Sequence, residues 1–109
     1  MSQINLGELT NNGEVRNLSG HERGVAARQK FALDNLDAAG APVLVHVPED
    51  VYSITSSFFQ GMFAQSVRSC GDRERFLARY QFEAPVVVLR QIERGIEASL
   101  MKRGSILAA

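Results

Sequence analysis

The sequence predicts an α/β domain in which helices pack on one small mixed β-sheet. Three observations carry that prediction. "VLVHV", Val43 to Val47, is a short β-branched apolar run of the kind that forms a buried strand. Two stretches flanking it place apolar residues at three- and four-residue steps, the spacing of helices with one buried face. Shorter alternating segments at both ends supply further strands, giving the order β-β-α-β-α-β-α over a single domain, residues 1–109.

The N-terminal strands occupy residues 1–18. Ile4 and Leu6 alternate as in a half-buried strand, and Asn12-Gly13 predicts a hairpin turn returning through Val15 and Leu18. Ser19 and Glu22 then have the spacing of a capping box. Val25, Phe31, Ala32, Leu33 and Leu36 follow as one helical stripe, which Gly40 and Pro42 terminate. The β-branched run comes next and Pro48 ends it. Val51, Tyr52 and Ile54 are expected to turn inward from the connection that follows.

Phe59, Met62, Phe63, Val67 and Cys70 predict a second amphipathic helix from about Ser56 to Ser69, stopped by Gly71. Charged and apolar residues alternate in "DRERFLARYQF", which predicts a strand from about Arg75 to Gln81. Pro85 suits a first helical position. Val88, Leu89, Ile92, Ile96 and Leu100 then predict a long helix in spite of the β-prone valines, with a flexible tail at 104–109.

Composition narrows the function. The chain is 45% hydrophobic and 22% charged, a globular profile, and its twelve basic and twelve acidic side chains cancel. A nucleic-acid binder needs a surplus of Lys and Arg, so no nucleic-acid partner is expected. Ten of the twelve basic residues are Arg, the cation favoured at protein interfaces. The lone Cys70 fits a reducing compartment. The first residues lack the pattern of a signal peptide and no apolar run approaches a membrane span, so the expected location is cytoplasmic.

No constellation of catalytic or metal-ligating residues emerges. His21 and His46 are isolated, and Gly20-x-x-x-Gly24 lacks the spacing and the Lys-Ser/Thr of a phosphate loop. Glu49-Asp50 reads as a solvated pair, and Arg73, Arg75 and Arg79 as a solvated face. The chain is therefore expected to be no enzyme and to use no metal or cofactor. What stands out is "SITSS": Thr55, Ser56 and Ser57 fall at a helix start, where backbone N–H groups lack partners and the macrodipole is positive. One hydroxyl caps the helix. The others either share that task or present a modification site, since the same geometry stabilises a phosphate.

"PVLVHVPEDVYSITSSFFQGMF" resembles the strand–loop–helix centre of STAS domains, the fold of bacterial anti-sigma-factor antagonists, and is most similar to the STAS-like proteins of uncharacterised function. "GHERGVAARQKFALDNL" is similar to that family's first helix, so the resemblance spans roughly Gly20 to Val67. It implies a regulatory protein-interaction domain whose partner is another protein, an ATPase of the anti-sigma kinase type. In the antagonists a Ser at this helix start is phosphorylated and the complex breaks. By position Ser56 and Ser57 are the switch candidates, with Thr55 beside them. This chain has Thr55 and Phe58 where the antagonists have Asp and Gly flanking the Ser pair, and His46 where their strand ends near an Asp. The expected partner surface comprises Glu49, Asp50, Tyr52, Ser53, Phe58 and Phe59. Two alternatives stay open. One is a lipid- or nucleotide-binding domain with a pocket lined by Tyr52, Phe58, Phe59 and Met62 between the sheet and the second helix. The other is a homodimerising scaffold without a switch.

Overall fold

A computed structural model describes residues 2–101 in full and only the backbone of 102–108. The tail expected at 104–109 lies outside the fully described residues. Five short strands, β1 (Ser2–Asn5), β2 (Asn17–Leu18), β3 (Val43–His46), β4 (Ser53–Ile54) and β5 (Tyr80–Glu83), are interspersed with five helices. These are α1 (His21–Lys30), α2 (Leu33–Ala39), α3 (Ser56–Cys70), α4 (Arg73–Arg79) and α5 (Val86–Ala108). The α/β class is as the sequence predicts, but the sheet is not mixed. It is parallel throughout, in order β1-β3-β5, and a separate parallel pair joins β2 to β4.

Strand β3 is central, as its apolar run predicts. Ile4, Val45 and Phe82 lie in one cross-strand row, and Val43 and Tyr80 pair in the next inward one. This face carries the helix layer, in which α3 packs between α1 and α5. The opposite rows, Gln3-Leu44-Gln81 and Asn5-His46-Glu83, are polar apart from Leu44 and lie half-buried or exposed. Parallel sheets are usually covered on both faces; this one is covered on one. His46, the last residue of β3, is on the outward face, its Nδ1 2.6 Å from Glu83 Oε1.

Helix α3 is the core of the molecule. Thr55 caps it, Gly71 follows its last residue, and Phe58, Phe59, Met62, Phe63 and Val67 are buried along it. Phe59, Phe63, Phe76, Tyr80 and Phe82 form one aromatic cluster with centroids 5.2–6.1 Å apart, within the range of favourable aromatic pairing. Three glycines let the helices close on one another. A Cβ on Gly24 of α1 would lie 2.1 Å from the Phe58 carbonyl oxygen, and one on Gly61 of α3 2.2 Å from that of His21. On the other side of α3, a Cβ on Gly95 would lie 2.5 Å from the Phe59 ring.

Five expectations are corrected. The Asn12-Gly13 hairpin does not form. Leu6 is buried and enters a 3-10 turn (Leu6–Leu9) whose Gly7 N–H donates to Asn5 Oδ1 at 2.8 Å, so β1 ends before any return strand can pair with it. The chain then loops through Asn11, Asn12 and Gly13, all at positive φ, closed by Val15 N–H donating to the Thr10 carbonyl at 2.8 Å. β2 finds its partner in β4 instead.

The long first helix is two helices. Gly20, not Ser19, precedes α1 and makes no side-chain cap, so the capping box does not form. Ala32 adopts the left-handed conformation at φ 53°, ψ 49° and separates α1 from α2. That conformation costs about 1–2 kcal/mol for a residue with a Cβ. A buried polar network offsets it, because the bend folds Asp34 and Asp37 back onto Arg28.

The predicted strand over 75–81 is mostly helix α4. Asp72 accepts the Arg75 N–H at 2.8 Å as its N-cap, and Phe76 and Tyr80, four apart, both point inward. The strand begins only at Tyr80. Finally, Tyr52 does not turn inward with Val51 and Ile54; it is 63% exposed.

The Arg28 network ties four elements together. Its Nη1 donates to the Met62 carbonyl and to Ser66 Oγ, each at 2.9 Å. Its Nη2 donates to Asp34 Oδ1 at 2.7 Å and Asp37 Oδ2 at 2.8 Å. Ser66 donates to Asp37 Oδ2 at 2.7 Å, and the Tyr80 hydroxyl donates to Asp37 Oδ1. Burying a guanidinium is tolerable when its donors are satisfied this fully.

Candidate functional site

Because the strands run parallel, their carboxyl ends coincide: Asn5, His46 and Glu83 stand in one row. In open α/β sheets ligands bind beyond those ends, among the loops and helix starts. Here that edge gathers the 47–52 connection, the start of α3 and, after Ala84 and Pro85, the start of α5.

Residues 52–55 are held in place by backbone bonds and one side chain. Tyr52 N–H donates to the Arg16 carbonyl and Thr55 N–H to that of Leu18, each at 2.9 Å. Gln91 of α5 clamps β4, its Oε1 accepting the Ile54 N–H at 2.7 Å and its Nε2 donating to Ser53 Oγ at 3.4 Å. The path into α3 is thus fixed before the helix begins.

The hydroxyls at that start have separate situations. Thr55, half-buried, has extended backbone and its Oγ1 accepts the Phe58 N–H at 3.2 Å, so it alone is the N-cap. Ser56 is exposed, and its Oγ accepts from Gln60 Nε2 at 2.9 Å one turn on. Ser57 is exposed in the first helical turn. Both serines are surplus to the cap. A phosphate on either would sit at the positive end of a 15-residue helix.

The surroundings follow the expected surface in part. Glu49, Asp50 and Tyr52 are exposed and Ser53 is half-buried. Phe58 and Phe59 are not available to a partner there: they are 3% and 1% exposed, because α3 turns them toward α1 and α5. The pocket expected among Tyr52, Phe58, Phe59 and Met62 is likewise filled, since the last three are core and Tyr52 faces outward. Sequence reading missed Val86 and Val87, which are 64% and 56% exposed at the start of α5. Val87 lies one turn before Gln91, on the side of α5 that reaches β4. The signal was present in the valine run, which is too apolar for an exposed helix start. Beside them a cleft of about 410 Å³ opens among His46, Val47, Glu49, Glu83, Ala84 and Pro85.

The buried groups whose ionisation shifts lie away from this edge. Burial alone would raise the Asp37 carboxyl, but hydrogen bonds from Tyr80, Ser66 and Arg28 outweigh it and hold it below the usual range. Burial and the Asp37 carboxylate push the Tyr80 phenol up. Arg28 is held above its ordinary value by Asp37 and Asp34, against the pull of desolvation. Burial also raises the Cys70 thiol, which keeps it from being a ready nucleophile. Among the described residues no group of three or more His, Cys, Asp or Glu is arranged to hold a metal ion, and no helix is long and apolar enough to cross a membrane.

Comparison of the chain with protein families, with curated proteins and with solved structures finds no match in any of the three.

Proposed function

We propose that the chain is a regulatory protein-interaction domain of the STAS-like kind, acting in the cytoplasm without catalysis, and that Ser57 is its switch. The partner is another protein, an ATPase of the anti-sigma kinase type, that docks on the carboxyl edge of the sheet. The observation that carries this reading is the division of labour at the start of α3. Thr55 caps the helix, Gln60 engages Ser56, and Ser57 is left exposed beside Tyr52's segment.

The proposed chemistry is electrostatic. A phosphate adds about −1.5 to −2 charges at neutral pH. Its position at the helix start lets the fold accept it, because the free N–H groups and the macrodipole favour an anion. A partner seated over Tyr52, Val86 and Val87 would have to strip water from that dianion, so its affinity falls. The acidic neighbours Glu49 and Asp50 add to the repulsion toward an acidic partner face.

Pull-down from the source cell's lysate with wild type, Ser57→Ala and Ser57→Asp tests the reading. A protein retained by the first two and lost by the third supports it; equal recovery by all three contradicts the switch.

A further inference from the structure

We infer that Asn12 is a modification site: its side-chain amide becomes a carboxylate without an enzyme, through a succinimide closed by the backbone nitrogen of Gly13. This inference does not rest on the proposed switch.

The loop that stands in place of the expected hairpin assembles the reacting pair. Asn11, Asn12 and Gly13 follow one another at φ 50°, 59° and 90°. Asn and Gly accept this region at little cost, so the turn itself selects an Asn followed by a Gly. Gly13 has no side chain to shield its nitrogen from the Asn12 carboxamide. Asn12 is exposed, and among the described residues its amide is in no side-chain hydrogen bond. The Gly13 N–H is held only by Thr10 Oγ1 at 3.3 Å, beyond the usual range of about 2.7–3.2 Å.

The other four asparagines lack this combination. Asn5, Asn17 and Asn35 precede leucines, and Asn11 precedes Asn12. Asn5 Oδ1 accepts the Gly7 N–H and Asn11 Nδ2 donates to Glu14 Oε2, each at 2.8 Å. Asn17 Oδ1 is buried. The nitrogen that would attack Asn35, that of Leu36, donates to the Ala32 carbonyl at 3.2 Å.

The Gly13 nitrogen, its proton lost to hydroxide, bonds to Asn12 Cγ. The Cγ–Nδ2 bond breaks, and ammonia departs with a proton from water. A second water opens the ring at either carbonyl, leaving an aspartyl residue or an isoaspartyl one, in which the main chain runs through the side chain. Nothing is oxidised or reduced. The formal net charge falls from zero by one unit. The new carboxylate lies in a loop against which Asp50 is already set, its Oδ2 3.2 Å from where a Cβ on Gly13 would stand.

Peptide mapping of the full chain by mass spectrometry, after incubation in mildly alkaline buffer at physiological temperature, tests this. The mass gain of an amide exchanged for a carboxylate should build up at Asn12 at least tenfold faster than at Asn5, Asn11, Asn17 or Asn35. Isoaspartyl methyltransferase should label the same peptide, and the intact chain should move to a more acidic ion-exchange peak. Asn12→Gly, which suits the positive φ, should abolish both the label and the peak. Thr10→Val, which removes the oxygen from the Gly13 N–H, should speed the reaction, and Thr10→Ser should keep the wild-type rate. No excess at Asn12, an acidic peak that persists in Asn12→Gly, or a Thr10→Val rate at or below that of wild type would each overturn the inference.

Discussion

Gly24 and Gly61 meet reciprocally where α1 crosses α3, each lying against the backbone of the other helix. A methyl on either would stand 2.1–2.2 Å from a carbonyl oxygen, of Phe58 in one case and His21 in the other. Backbone cannot rotate aside as a side chain can, so the helices themselves must part. Gly24→Ala and Gly61→Ala should therefore each destabilise the fold by about 3 kcal/mol or more, in spite of alanine's better helix propensity. Urea titration of the two variants checks this. Gly40, with open space where its Cβ would be but φ 74°, should lose only about 1 kcal/mol on the same change.

The Arg28 network makes a second contrast. Both Asp34 and Asp37 bond to the guanidinium, but the Asp34 side chain is 76% exposed and that of Asp37 18%. Removing a partner from a buried charge costs about 3–5 kcal/mol, whereas an exposed pair is worth about 0–1. Asp37→Ala should fall in the first range and Asp34→Ala in the second, measured by thermal or chemical unfolding.

The same network sets the pH range of stability at both ends. The Asp37 carboxyl titrates lower in the folded chain than in the unfolded one. Its contribution is present above the unfolded carboxylate value and is lost as pH falls through the folded one, so stability should drop below about pH 4. Tyr80 shifts upward. Its contribution is complete below the unfolded phenol value and declines from about pH 10 upward. Tyr80→Phe should abolish the alkaline decline attributable to this residue. Denaturation midpoints measured from pH 3 to 11 would show both limbs.

Thr55 and Ser57 should respond oppositely to substitution. Thr55→Ala removes the N-cap of α3 and should cost about 1 kcal/mol. Ser57→Asp places a negative charge in the first turn and should stabilise by about 0.3–1 kcal/mol, with the gain reduced by salt. A destabilised Ser57→Asp protein would mean that the helix start does not accept an anion.

What the sequence disclosed depended on how local the cause was. The buried strand at Val43–His46 and helix α3 were legible because a continuous β-branched run and a strict three-four repeat each allow one reading. The helix at Val86 had a competing strand reading in its three β-prone valines, and was legible because its four-residue periodicity outlasts them. Helix α4 was not, because its inward residues Phe76 and Tyr80 are four apart, a spacing that strand alternation and a helix both allow. The break at Ala32 and the failed hairpin had causes outside the apolar pattern: Arg28 drawing in two carboxylates, and β4 claiming β2. At the candidate site the Ser and Thr positions could be read, but which of them caps could not. Nor could the burial of Phe58 and Phe59, which α1 and α5 impose from outside the motif.

The most direct measurement of the central claim is calorimetric titration of the captured partner against two forms of the chain, unmodified and bearing phosphoserine at position 57. The unmodified form should bind tightly and the phosphorylated form at least tenfold more weakly, with unchanged circular dichroism. Equal affinities for the two forms would contradict it.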